Sequence, residues 1–251
     1  MKLKLAGLLL LVFSLLLIPS LASAQMTMEI EAADVEVTSG GQAYQSYIAA
    51  PAEGGPYPGI ILIHSFNGLE AGYRTMVDQM ASEGFVVLAA GWQTFEQSPS
   101  DEVVSQLVQD SIAFLSARDD VDPERIGLTG FCAGGRYTML YLPQIEGLAA
   151  GVAWYGFPMR GEPAPVDLVD NLTVPMLMIH GTADQPSPIT DIYQYAGALA
   201  EAGATFELKV YSGEPHGFML ADGQLRTDEI ARDAYNEMMN FFRRKLAPSM
   251  V

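Results

Sequence analysis

The chain is poor in the residues that cross-link a protein or give it positive charge. It has one cysteine, three histidines and 13 lysines and arginines in 251 residues, against 30 aspartates and glutamates. One cysteine excludes any intramolecular disulfide. Without a C-x-x-C pair or a resolving thiol, dithiol redox chemistry ranks low. The formal charge of −17 gives a surface that repels nucleic acid and anionic membranes, so neither is expected as a partner. The sequence shows no internal repeat, no low-complexity tract and no interdomain linker, which leaves one large domain. No metal-ligand cluster and no nucleotide-binding loop appear, so neither a metal nor another cofactor is expected. The oligomeric state is not encoded in any of these features.

The first 24 residues have the composition of a leader. Lys2 and Lys4 precede an apolar run from Leu5 to Ile18, and Ala22-Ser23-Ala24 has the small-residue form of a cleavage site. A retained membrane anchor is the alternative, but the apolar run is short for a bilayer span. Removal of residues 1–24 would leave a single domain over residues 25–251, secreted or periplasmic, with no stable membrane anchor. Loss of the two lysines takes the basic count from 13 to 11 and the charge from −17 to −19. In that oxidising setting a lone thiol risks oxidation or dimerisation, so its retention argues for chemistry.

The rest of the chain alternates strands and helices. Asp34–Val37 and Tyr44–Ala49 read as two antiparallel edge strands, and the continuous apolar run Gly59–Ile63 as a strand buried on both faces. A helix follows over Tyr73–Ser82, a strand over Phe85–Ala89, and a helix opened by Pro99-Ser100 with apolar residues at three- and four-residue spacing. Strands over Arg125–Thr129, Leu148–Trp154, Val174–Ile179 and Thr205–Tyr211 come next, with a helix over Thr190–Ala202 and a last helix ending in Arg243-Arg244-Lys245. This alternation predicts a mainly parallel, doubly wound α/β sheet with helices on both faces.

The stretch Ile126–Arg136 organises the rest. An apolar strand runs into Gly130-Phe131-Cys132-Ala133-Gly134, the G-x-S-x-G form with sulfur in place of oxygen. That form marks a nucleophile elbow, a strand-to-helix turn in which a Cβ at the flanking glycines would clash. A nucleophile there needs a base and an acid to orient the base, in the chain order nucleophile, acid, histidine. His216 is the last histidine and follows the last strand, whereas His64 and His180 end strands as Ile63-His64-Ser65 and Ile179-His180-Gly181. The latter two read as loop anchors. Asp184, in the loop after the penultimate strand, stands ahead of Asp122, Asp167 and Asp191 as the acid, with Glu70 and Glu214 weaker candidates. The oxyanion hole would use the backbone N–H of Ala133 and that of Phe66.

Gly127–Arg136, Gly181–Asp184 and Gly213–Phe218 together resemble the dienelactone hydrolase family of α/β-hydrolases over roughly residues 57 to 245. The resemblance implies an α/β-hydrolase fold and a Cys132–His216–Asp184 triad that cleaves esters or lactones through an acyl-thiol intermediate. Two departures bear on the substrate. Well-known family members carry a glutamate beside the resting thiol where Ser65 stands here. They also hold a substrate carboxylate with arginines, whereas Gly91–Ser98 and Gly217–Leu220 supply no cation. A neutral or apolar ester is therefore the expected substrate, with Ser65, Phe66, Trp92, Tyr155, Phe157, Phe218 and Met219 as candidate pocket walls. Arg136 is a candidate carboxylate ligand or a structural ion pair. An acyl transferase or peptidase on the same scaffold, or a non-catalytic secreted binding protein, remains the alternative.

Overall fold

In the computed structural model the described residues are 27–247, so the leader read over residues 1–24 lies outside them. Two long antiparallel strands, β1 (Ile30–Ser39) and β2 (Gln42–Pro51), open the fold around a tight turn at Gly40-Gly41. β3 (Tyr57–Ile63), α1 (Ala71–Ser82), β4 (Val86–Ala90), α2 (Asp101–Ser116), β5 (Val121–Phe131) and α3 (Ala133–Tyr141) follow. β6 (Ala150–Trp154), β7 (Met176–Gly181), α4 (Ile189–Glu201) and β8 (Phe206–Tyr211) complete the sheet. A two-stranded hairpin, β9 (Leu220–Ala221) with β10 (Gln224–Leu225), precedes the terminal helix α5 (Glu229–Lys245).

The eight-stranded sheet has the order β1-β2-β4-β3-β5-β6-β7-β8, with β4 to β8 parallel and β1 and β2 antiparallel at one edge. This is the expected doubly wound sheet. Side-chain alternation along its strands divides the interior in two. Ile61 and Ile63 of β3 face Val104, Leu107, Leu140 and Leu199 from α2, α3 and α4, whereas Ile60 and Leu62 face Met76, Met80, Met238 and Phe242 from α1 and α5. The four residues Ile60–Ile63 are each 0% exposed, a burial that stabilises by about 1.5–3 kcal/mol per side chain.

Helix ends follow the local chemistry. The Ser100 hydroxyl accepts from Val103 N–H at the start of α2, and the Asp228 carboxylate accepts from the N–H groups of Ile230 and Ala231 at the start of α5. The loop read over Tyr155–Thr173 contains a short 3-10 helix, Pro165–Asn171. The β9–β10 hairpin was not legible as two strands because each is only two residues long. Its Asp222-Gly223 turn, with φ of 50 and 73 degrees, nevertheless has the residues that a type I′ turn demands.

Strand order fixes the location of the site. From β3 the chain moves outward to β4, then crosses back to β5 on the other side of β3. The crevice where strand order reverses, at the carboxyl ends of β3 and β5, is where open α/β sheets place ligands. Register aligns these ends, with Ile63 opposite Gly130 and Phe131 opposite Trp154.

Candidate active site

The turn after β5 is under backbone strain. Cys132 has φ 58 and ψ −110 degrees, a region that side-chain-bearing residues rarely occupy. Its glycine neighbours allow the first turn of α3 to press against the sheet. A Cβ on Gly130 would strike the Gly134 carbonyl, and one on Gly134 would lie 2.7 Å from the Ile63 carbonyl carbon and 3.0 Å from His64 O. Cys132 N–H donates to Trp154 O at 3.1 Å, which ties the elbow to β6. Ala133 is the first helical residue, so its N–H has no carbonyl one turn back to bond.

The loop after β3 forms the opposite wall. His64 is buried, and its Nδ1–H donates to Ser65 O at 2.8 Å. Its ring stacks on Trp92 at 5.3 Å, and Trp92 Nε1–H donates to His64 O at 3.2 Å. Burial holds the His64 pKa down to about 4, so it is neutral near pH 7. Asn67 N–H donates to Ser65 Oγ at 3.2 Å. The N–H of Phe66, between them, has no intramolecular acceptor among the described residues.

The loops after β7 and β8 bring the acid and the histidine together. Asp184 is buried, and its Oδ2 accepts from His216 Nδ1–H at 2.8 Å while its Oδ1 accepts from Ser187 N–H at 2.8 Å. His180 Nε2–H donates to Ser187 O at 2.8 Å and lies 3.3 Å from Asp184 Oδ2. Burial outweighs these contacts and lowers the His180 pKa. At His216 burial disfavours the imidazolium, yet the Asp184 hydrogen bond and the adjacent Cys132 raise its pKa to about 9. His216 Nε2 is buried and engaged in no formed hydrogen bond, so Cys132 acts on it through charge and proximity. The edge of Tyr155 and the ring of Phe157 hold the imidazole at 5.2 Å and 5.4 Å between centroids. Arg226 steadies the same loop on both sides of His216, donating to Glu214 Oε2 and Phe218 O at 2.7 Å each.

Cys132 and His216 line one cleft of about 410 Å³ together with Ser65, Phe66, Tyr73 and Tyr155. Several expected wall residues lie elsewhere. Trp92 (2% exposed), Phe218 (2%) and Met219 (0%) are core residues: Trp92 packs under His64, and Phe218 packs behind Tyr155 at 5.6 Å. Phe157 backs His216 and carries the Arg160 guanidinium 4.0 Å above its ring, without lining the cleft. Arg136 is consumed by a bidentate pair with Asp101, 2.7 Å at each oxygen, and a bond to Arg160 O at 2.8 Å. It is an architectural ion pair and binds no carboxylate in the cleft.

The sequence reading missed Asn67, Tyr73, Gly217, Leu220, Asp222 and Gly223 as cleft residues, and placed Glu70 only among weak acid candidates. The Asp-Gly turn was the available signal for two of them. Glu70 stands at the N-cap of α1, but its side chain caps no helix N–H; Ser65 Oγ donates to Glu70 Oε2 at 3.5 Å.

Comparison with known proteins is consistent across sequence and structure. Residues 90–246 match the family model described as the dienelactone hydrolase family, and residues 21–139 match one described as chlorophyllase. A Methylorubrum extorquens protein named as a candidate carboxymethylenebutenolidase is 31% identical over 234 residues, covering 84% of this chain and 80% of that protein. An Escherichia coli protein of the same description is 29% identical over 237 residues, covering 85% and 87%. The crystal structure of a candidate dienelactone hydrolase from Klebsiella pneumoniae superposes with a TM-score of 0.78 at 26% identity, covering 86% of this chain and 99% of that one.

Proposed function

Because the chain belongs to the dienelactone hydrolase family, and is therefore a hydrolase acting on ester or lactone bonds, we propose that it works through Cys132, His216 and Asp184. The observation that carries this reading is the His216–Asp184 bond at 2.8 Å, with the opposite ring nitrogen buried and uncommitted beside a cysteine on a strained elbow. Asp184 holds the Nδ1–H tautomer, so that Nε2 is the nitrogen able to take a proton. With its pKa raised to about 9, His216 already holds on Nε2 the proton it takes from Cys132, and the thiolate attacks the carbonyl carbon of the ester. The oxyanion that forms accepts from the N–H groups of Ala133 and Phe66, each worth about 2.7–4 kcal/mol in the transition state. Collapse expels the alcohol, which takes its proton from His216, and leaves a Cys132 thioester. A water molecule then gives a proton to His216 and attacks the thioester, releasing the acid and returning the thiol.

The substrate in this reading is a neutral or apolar ester in preference to dienelactone. The cleft is lined by Phe66, Tyr73, Tyr155 and Leu220 and by no lysine or arginine, so a substrate carboxylate would be desolvated without a counter-charge. The test assays short-chain p-nitrophenyl esters and simple lactones with the wild type, Cys132→Ala and His216→Ala. Wild-type turnover with losses of about a thousandfold or more in both variants is expected of groups that act as one unit. Equal inertness of three folded proteins would remove the hydrolytic mechanism and favour a binding role.

The same reading includes export. Its support is the Lys2/Lys4, Leu5–Ile18 and Ala22-Ser23-Ala24 pattern together with the lone cysteine. N-terminal sequencing of the protein from a periplasmic or culture fraction should begin at Gln25, and an intact Met1 in a soluble cytoplasmic fraction would overturn export.

A further inference from the structure

The cleft that holds Cys132 is lined by two carboxylates, those of Glu70 and Asp222, and by no lysine or arginine; the charge that His216 carries there is already paired with Asp184, which is buried behind it. Glu70 is held at the wall by the fold. Ser65 Oγ donates to it at 3.5 Å from the loop after β3, and the hairpin tip closes over it. A Cβ on Gly223 would lie 3.2 Å from Glu70 Oε1, so a glycine at positive φ there leaves the carboxylate its space. Gly72 N–H donates to Gly223 O at 2.8 Å, which fixes the tip to the first turn of α1.

The nearby cations are committed elsewhere. Arg74 pairs with Asp34 at 2.6 Å, and Arg226 pairs with Glu214 and Asp228 at 2.7 Å each. Glu70 makes no ion pair among the described residues. The start of α1 favours a negative charge at this point, but the partial charges of helix N–H groups leave it able to accept a full ionic partner. Asp222 is exposed at the lip of the same opening, where a second negative charge adds to the potential an approaching substrate meets.

Resting on the hydrolytic mechanism and replacing its neutral substrate with a cationic one, we propose that Glu70, assisted by Asp222, is a specificity determinant: the cleft favours esters bearing a cationic, ammonium-type group and rejects esters bearing a carboxylate. Glu70 takes no part in the proton transfers. It acts on the ground state and the transition state alike, by attracting one sign of charge to the half-buried wall beside the nucleophile.

The test uses matched esters that differ only in charge. One set is the p-nitrophenyl ester of trimethylammonio-butyrate, its tert-butyl isostere and the p-nitrophenyl monoester of glutarate; a second is acetylcholine beside its tert-butyl analogue. In the wild type, kcat/KM for the cationic member of at least one set should exceed that of its neutral isostere by roughly fivefold or more, and the glutarate monoester should fall below the isostere by a similar factor. Both ratios should shrink as salt rises from ~0.02 M to ~0.5 M. Glu70→Gln should bring both to about twofold or less, and Asp222→Asn should move them less because its charge is better solvated. The neutral isostere separates this inference from the reading beneath it. Wild-type turnover of the isostere with no preference by charge in either set overturns the selectivity. So does a Glu70→Gln variant that slows all esters equally, since that would be the signature of a brace on the Ser65–Asn67 loop. Inertness toward every ester overturns the hydrolytic mechanism, and the selectivity with it.

Discussion

Gly134→Ala should damage catalysis more than its single added methyl suggests. The new Cβ would lie 2.7 Å from the Ile63 carbonyl carbon and 3.0 Å from His64 O, and closer still to the Ile63 oxygen. Carbon atoms in good contact sit about 3.5–4.0 Å apart, so roughly 1 Å must open between the start of α3 and the end of β3. Both neighbours are backbone, and neither can rotate away as a side chain tip would. These two segments carry the proposed oxyanion donors, Ala133 N–H on α3 and Phe66 N–H on the loop after β3. A misplacement of that size costs about a hundredfold in rate, and complete loss of one donor about 2.7–4 kcal/mol. The expected result is a fall in kcat/KM of about a hundredfold to a thousandfold, with overpacking lowering stability by about 1–3 kcal/mol. The assay is turnover of a neutral p-nitrophenyl ester beside a urea melt. Gly197→Ala in α4 is the control, because a Cβ there meets nothing within 4 Å and should stabilise by about 0.5–1 kcal/mol. A Gly134→Ala enzyme within threefold of wild type and equally stable would refute the argument that close approach of these backbones sets the oxyanion geometry.

Asp184→Asn should lower kcat by about a thousandfold to ten-thousandfold while the protein stays folded, because an amide has one oxygen for the two donors, His216 Nδ1–H and Ser187 N–H, and loses the required tautomer; a loss under tenfold would exclude Asp184 as the orienting acid. Stability should depend on pH through His216. Its folded pKa, about 9, lies above the ordinary histidine value of 6.5, so its contribution is complete below pH 6.5 and is lost as pH rises through 9. The amount is about 3 kcal/mol, read as the difference in urea midpoint between wild type and His216→Gln across that window. Parallel curves for the two proteins would refute the coupling. Arg226→Gln removes the bonds to Glu214 and Phe218 that flank His216, and should reduce kcat several-fold with little change in KM. An unchanged kcat would show that the loop holds His216 without it.

Much of this was legible along the chain because it depends on local or periodic features. The buried run Ile60–Ile63, the elbow glycines around Cys132 and the order cysteine, aspartate, histidine each state their role through neighbours in sequence, and the structure brings Asp184 and His216 to a 2.8 Å bond. Only tertiary packing decided which aromatic and charged residues face the cleft. Trp92, Phe218 and Met219 have the composition of pocket walls, but a buried hydrophobic side chain looks the same in sequence whether it borders a cavity or fills a core. Arg136 was ambiguous for a related reason: its partner Asp101 is 35 residues away, and a one-dimensional pattern does not reveal which carboxylate reaches a guanidinium. Glu70 shows the reverse case. Register against the family puts Ser65 beside the nucleophile, yet the bend from β3 into α1 brings a carboxylate five residues later to the same wall. The sequence determined the sheet, the elbow and the chain order of the reactive groups, because backbone sterics and hydrophobic periodicity act over a few residues. The charge and shape of the cleft were left to the folded chain, because they arise where five separate loops meet.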